Sequence, residues 1–177
     1  MNIYVIKSSP HKYSSSGLLA DEFIKGTKEN GHSVEVFDAG HKKIEPCSAC
    51  DYCLENGSCF KKDDMKEAEK GILESDMVVF VTPLYCFGVS AQLKLVWDRF
   101  YSFAQKIMDK KIKTVFICAG GDDVDWAFEA IELHYKTFAR YIHFEDCGII
   151  LAKGCGTTEL TKNSKYMQDA YELGKSL

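Results

Sequence analysis

The sequence has no long apolar run. Its strongest, Met77 to Val81, falls far short of the roughly 20 residues that span a bilayer. The N-terminal stretch MNIYVIKSSP is too briefly apolar for a secretory leader and has no basic residues in front of it, so a cytoplasmic protein is expected. An excess of positive charge is also missing. The 22 Lys and Arg face 26 Asp and Glu, for a net charge of −4. That balance gives no electrostatic reason to expect nucleic acid or a membrane surface as a partner. No repeat, low-complexity tract or linker interrupts the 177 residues, which are 46% hydrophobic and 27% charged. One domain spanning 1–177 is expected. The five histidines (His11, His32, His41, His134, His143) show no triad spacing with a nucleophile. None is assigned a catalytic role, and no catalytic acid, base or nucleophile is expected.

Short apolar segments alternate with amphipathic ones. Strands are expected at Asn2–Lys7, Ser33–Phe37, Met77–Thr82, Ile112–Cys118 and within Phe144–Leu151. Met77–Thr82 (MVVFVT) is β-branched and apolar throughout, as a central parallel strand covered on both faces requires. SVEVF alternates and suits a sheet edge. Helices are expected at Ser14–Asn30, Asp63–Glu74, Ser90–Phe103, Asp125–Ile142 and Ser164–Ser176. Asp64 and Glu67 resemble a capping box at the start of the second. Five strands alternating with five helices imply a doubly wound α/β sheet, whose ligands bind outside the carboxyl ends of the strands.

Three loops follow such ends. The first reads Ser8-Ser9-Pro10-His11-Lys12-Tyr13-Ser14-Ser15-Ser16-Gly17 and leads into a helix N-terminus. Free N–H groups, the helix dipole and neutral hydroxyl donors suit a phosphate monoester there. A capped serine-rich loop is the plainer alternative, but a cap needs one hydroxyl rather than five. The second loop reads Thr82-Pro83-Leu84-Tyr85-Cys86-Phe87-Gly88, with two aromatics that can flank a planar ring, or simply cover the core. The third reads Ala119-Gly120-Gly121-Asp122-Asp123, where adjacent glycines allow close approach to a ligand, or merely a turn. No G-x-G-x-x-G follows a strand, and no P-loop pattern occurs, which points to a mononucleotide.

Taken together these loops resemble the flavodoxin-like NAD(P)H-dependent FMN reductase family. Ser8-Ser9-Pro10-His11-Lys12-Tyr13-Ser14-Ser15-Ser16 stands where that family has G-S-P-R-x-x-S-x-T. Pro83-Leu84-Tyr85 precedes Gln92-Leu93-Lys94 and Asp98-Arg99, as in its second signature, and Asp63-Asp64-Met65 also fits. The resemblance covers Met1 to Leu151. It implies a five-stranded flavodoxin-like parallel sheet of order 2-1-3-4-5 in a three-layer sandwich. It also implies FMN, with the phosphate on Ser9, Ser14, Ser15 and Ser16 near His11, the ring against Pro83, Leu84, Tyr85, Cys86, Phe87 and Gly88, and Gly120 and Gly121 on its other border. NAD(P)H is the implied co-substrate, a small acceptor such as free flavin or a quinone the implied partner, and a homodimer or homotetramer the implied assembly. His11 replaces the family's arginine, which removes a fixed positive charge beside the phosphate; either weaker FMN binding or compensation by Lys12 is expected.

Four of the eight cysteines lie between Cys47 and Cys59. In a reducing compartment such density favours metal binding or redox chemistry over disulfides. Cys47, Cys50, Cys53 and Cys59 give C-x2-C-x2-C-x5-C, and the first three match a compact run of iron–sulfur ligands. The segment, residues 46–60, also resembles the motif of iron–sulfur flavoproteins, which implies a 4Fe–4S cluster held by all four. Zinc bound by four thiolates, or a metal-free remnant of the loop, are the alternatives.

The expected function is an FMN-dependent NAD(P)H oxidoreductase. The alternative is an iron–sulfur flavoprotein carrying electrons between ferredoxin-like partners. A phospho-acceptor receiver on the same sheet is disfavoured, because the ends of strands one and three carry Ser8 and Thr82 instead of acidic residues.

Overall fold

The computed structural model describes all 177 residues. Five parallel strands form one sheet: β1 (Asn2–Lys7), β2 (Ser33–Asp38), β3 (Met77–Pro83), β4 (Lys113–Ala119) and β5 (Glu145–Ala152). Their order is β2-β1-β3-β4-β5, the flavodoxin-like order expected. β2 lies at an edge, where only Phe37 of its six residues is buried.

Side chains two apart along a strand point to one face, so each central strand feeds two cores. Ile3 and Val5 of β1, Met77, Val79 and Val81 of β3, and Val115 and Ile117 of β4 pack beneath α1 (Ser15–Glu29). Tyr4 and Ile6, Val78 and Phe80, and Phe116 and Cys118 pack against the opposite layer. That layer is aromatic: Phe80 packs edge-on to Trp97, and Trp97 stacks on Phe138 at 4.4 Å. The sheet is thereby sealed on both faces, leaving its carboxyl edge as the open rim.

Between β2 and β3 the chain forms α2 (Tyr52–Asn56) inside the cysteine segment, then α3 (Met65–Glu74). After β3 come α4 (Ala91–Arg99), a 3-10 turn at Phe100–Ser102 and α5 (Ala104–Met108). The chain continues with α6 (Trp126–Tyr141), α7 (Thr158–Lys162) and α8 (Tyr166–Lys175). The single helix expected at Ser90–Phe103 is thus broken after Arg99, and three short helices, α2, α5 and α7, were not expected.

The capping box at Asp64 does not form. Asp64 makes no side-chain cap bond; its Oδ2 accepts the Lys43 N–H at 2.7 Å instead. A long-range amide has outcompeted the local one. No helix is long and apolar enough to cross a membrane.

Candidate functional site

Four loops at the carboxyl edge enclose a groove of about 390 Å³. The first loop contributes Ser9, His11, Tyr13, Ser14, Ser15 and Ser16. The loop after β3 contributes Pro83, Leu84 and Tyr85, and the loop after β4 contributes Ala119, Gly120 and Gly121. The expected residues of the first and third loops all line this wall. The fourth loop, after β5, adds Cys155, Gly156, Thr157 and Thr158. Those residues, with Tyr13 and Ala119, were not singled out in the sequence. The signal was available, because a parallel sheet presents every carboxyl end to the same rim.

The loops are stitched together by their backbones. Leu84 N–H donates to Ala119 (2.8 Å), Gly120 N–H to Ala152 (3.0 Å) and Cys155 N–H to Gly120 (2.7 Å). Gly120 and Gly156 stand where a side chain would crowd its neighbours. A Cβ on Gly120 would stand 2.8 Å from the Phe128 ring and 2.9 Å from Leu84, and one on Gly156 would stand 3.0 Å from the Gly121 Cα.

The serines divide their labour. Ser14 caps α1, its Oγ accepting the Gly17 N–H at 3.1 Å. Ser9 Oγ accepts the His11 N–H at 3.2 Å. Ser16 differs: it is 1% exposed, in the first turn of α1, and its hydroxyl has no partner. A buried hydroxyl without a partner costs about 1–3 kcal/mol. Ser16 sits between the groove and a second cleft, of about 340 Å³, on the other side of the first loop. In that cleft Lys7 pairs with Asp21, and His41 with Asp38. An orphaned donor at a helix N-terminus, beside Ser9 and Ser14, fits a phosphate group. Gly120, packed beside Leu84, and the adjoining Gly121 leave a thin wall that fits the edge of a flat ring.

Cys86, Phe87 and Gly88 do not line the groove. They form a tight turn at its lip, in which Tyr85 and Gly88 exchange both backbone hydrogen bonds at 3.0 Å. Cys86 (φ 46°) and Phe87 (φ 62°) are both left-handed, a geometry that normally selects Asn-Gly. The turn holds the half-exposed Phe87 ring 5.3 Å from the exposed Trp126 ring. Behind the groove Cys118 is fully buried, and burial pushes its thiol up, which leaves it unreactive.

Cys47, Cys50, Cys53 and Cys59 all border one small recess of about 20 Å³, together with Asp98, Arg99 and Tyr101. All eight cysteines of the chain are unpaired. Hydrogen bonds from the Tyr52 backbone and the Ser48 side chain draw the Cys50 thiol down, whereas burial pushes Cys53 up. Four free thiols around one recess fit the donor chemistry of a thiolate-bound iron centre. The spacing in this conformation does not close on one ion: no set of three or more His, Cys, Asp or Glu side chains could hold one.

β2 ends at the second cleft, its Asp38 beside Lys7, and the cysteine segment that follows turns back along the sheet. Its recess abuts the C-terminal end of α4, while Ser90 at the other end contacts the first loop. Groove and recess share no residue and sit towards opposite ends of α4, a helix about 13 Å long at 1.5 Å per residue.

The comparisons with known proteins agree with this architecture. The family described as NADPH-dependent FMN reductase matches residues 1–136. An iron-sulfur flavoprotein of Archaeoglobus fulgidus is 35% identical over 101 residues, covering 57% of this chain and 46% of that protein. The chain spans about half the length of the iron-sulfur flavoproteins it matches. Among solved structures, an NAD(P)H:quinone oxidoreductase from Methanothermobacter marburgensis superposes with a TM-score of 0.75 at 19% identity, over 99% of this chain and 95% of that one. An FMN-dependent NADH-azoreductase from Bacillus anthracis, in complex with FMN, gives 0.71 at 19% identity, over 99% and 98%. At such identities the superpositions speak for the fold. The match over residues 1–136 speaks for the family: the chain belongs to the NADPH-dependent FMN reductases.

Proposed function

We propose that this chain binds FMN in the groove and passes electrons from NAD(P)H to a small acceptor such as a free flavin or a quinone. The observation that carries this reading is the unpartnered Ser16 hydroxyl, buried at the start of α1 within the serine loop. Ser9, Ser14, Ser15 and Ser16 would hold the phosphate, with the first N–H groups of α1 beside them. Pro83, Leu84 and Tyr85 would lie along one border of the ring, and Gly120 and Gly121 along the other. Cys86, Phe87 and Gly88 would act from the lip, by stacking or by limiting access. When bound, FMN supplies the hydride chemistry itself. The protein's part is position, hydrogen bonding and access, and no side chain is assigned as acid, base or nucleophile.

We take residues 1–177 to act as one domain with the cysteine segment 46–60 as its insert. A cytoplasmic setting is part of the proposal. A homo-oligomer is part of the proposal, because Trp126, Leu133 and Tyr141 leave an exposed apolar stripe along α6 beside Phe87.

One observation favours a second reading: the four cysteines on one recess. As ligands of a 4Fe–4S cluster they would make the chain an electron carrier between ferredoxin-like partners. Drawing the sulfurs together would require the segment to rearrange around the cluster.

An anaerobic titration of the FMN-loaded protein separates the two. Rapid bleaching of the flavin bands by NADH or NADPH supports the oxidoreductase. Bleaching only by a reduced ferredoxin-like protein supports the carrier. Failure to retain FMN at all sinks both.

A further inference from the structure

Arg99, the last residue of α4, and Asp63, just before α3, are both almost wholly enclosed, with side chains 2% and 1% exposed. One guanidinium nitrogen donates to Asp63 Oδ2 at 2.7 Å and to the Glu45 carbonyl at 3.0 Å; the other donates to Asp63 Oδ1 at 3.3 Å. Asp63 in turn accepts the N–H groups of Glu45 (2.9 Å) and Met65 (3.2 Å). Glu45 lies just before the first cysteine of the cluster and Asp63 just after the last. The pair therefore closes the neck of the cysteine loop.

Stability alone is a poor reason for such a pair. Enclosing two charges costs about as much as their attraction returns, and apolar residues of similar volume often do as well. Nor is Arg99 fully used, because its Nε–H is buried and has no partner. Cys59, Lys61 and Arg99 together form the partition between the cysteine recess and a neighbouring cleft of about 410 Å³. Lys61 is already engaged with Glu45 at 2.9 Å. The free donor thus stands in the same wall as the fourth cysteine.

We propose that Arg99 is a positioning residue for the cysteine loop, clamping its two ends through Asp63 and Glu45 and keeping one N–H for a sulfur of the recess. The second half of this inference rests on the cysteine-ligand reading above. Thiolates gathered on a metal carry negative charge, and Arg99 is the enclosed cation beside them. Lysine cannot replace it, since an ammonium lacks the planar fork that reaches two partners at once.

The test uses the full chain in three forms: wild type, Arg99→Lys, and Asp63→Leu with Arg99→Met. The double variant removes both charges and so avoids stranding a carboxylate if the lysine variant folds poorly. FMN content serves as the folding control. Metal-free protein is digested briefly with trypsin and cleavage after Lys43 and Lys62 is followed by mass spectrometry. Separately, protein reconstituted without oxygen with iron and sulfide is desalted, and iron retention is measured. Cleavage of the loop about tenfold faster in both variants, with iron retention about tenfold weaker, is the expected result. Unchanged cleavage overturns the clamp. Unchanged iron retention in variants of a wild type that does load iron overturns the sulfur contact. A wild type that loads no iron refutes the ligand reading, and with it the sulfur contact, while the trypsin result still decides the clamp.

Discussion

Ser90 Oγ lies 2.9 Å from Ser8 Oγ and 3.0 Å from the Ser8 carbonyl, fully buried beneath the groove. Ser8 Oγ donates to Val81 at 2.8 Å, and Ser90 Oγ accepts the Leu93 N–H at the start of α4. The two hydroxyls together join the serine loop, the end of β3 and a helix cap. Ser90→Ala should cost about 2 kcal/mol, from a cap and a buried hydrogen bond, and should weaken FMN binding because the first and second loops lose their common anchor. Chemical denaturation and a flavin fluorescence titration measure the two effects. A stability loss with unchanged affinity would show that the anchor does not couple the loops.

Ser16→Ala should separate stability from affinity. The orphaned hydroxyl vanishes, so the flavin-free protein keeps or gains stability. FMN affinity should fall at least tenfold, since a hydrogen bond to a charged group contributes about 1.5–3 kcal/mol. Equal affinity in the variant would take Ser16 out of the phosphate site.

Gly120→Ala should press against Phe128 and Leu84. Overpacking of this kind costs about 1–3 kcal/mol, and the displaced Leu84 would narrow the groove. Thermal melts with and without FMN should show a smaller flavin-induced rise in Tm than in the wild type.

The turn at Cys86-Phe87 carries backbone strain of order 1 kcal/mol per residue. Cys86→Asn with Phe87→Gly supplies residues suited to that geometry and should raise Tm. It should also slow reduction by NAD(P)H, because the ring at the lip is gone. Stopped-flow absorbance decides it: unchanged reduction would make the strained turn irrelevant to access.

Burial pushes the Asp63 carboxyl up, but the Arg99 hydrogen bonds, the Glu45 and Met65 amides and the guanidinium charge outweigh it and hold it below the usual carboxylate range. A carboxylate with a depressed folded pKa stabilises the protein above its unfolded value, about 3.9, and that stabilisation is lost as pH falls through the folded value. Asp63→Asn should therefore cost about 3 kcal/mol at neutral pH, and the gap to wild type should close below about pH 4. Urea melts across pH 3–7 give the curve; a pH-independent gap would assign the loss to packing.

Much of the fold follows from local pattern. MVVFVT can only be a doubly covered strand, and the alternation of such runs with amphipathic segments implies the parallel sheet. The serine loop was legible because it precedes a helix start, and the adjacent glycines because they follow a strand. The fourth loop, with Cys155 to Thr158, carries no comparable run of hydroxyls or aromatics, so it was silent. That Cys86 and Phe87 form a tight turn at the lip was not legible, because left-handed φ contradicts their intrinsic preference.

By itself the sequence determined the strands, the β-edge of SVEVF, the presence of four thiols in one short segment and the serine and glycine loops at the rim. The tertiary structure alone decided that Asp64 serves Lys43 and not its own helix, that α4 stops at Arg99, and that the cysteine recess sits at the far end of that helix from the groove. Propensity and periodicity act over a few residues, whereas the Asp64 and Arg99 pairings join groups 21 to 54 positions apart. Such contacts form only once the sheet has stacked its layers, and which amide or guanidinium then reaches a given carboxylate depends on packing that no local pattern encodes.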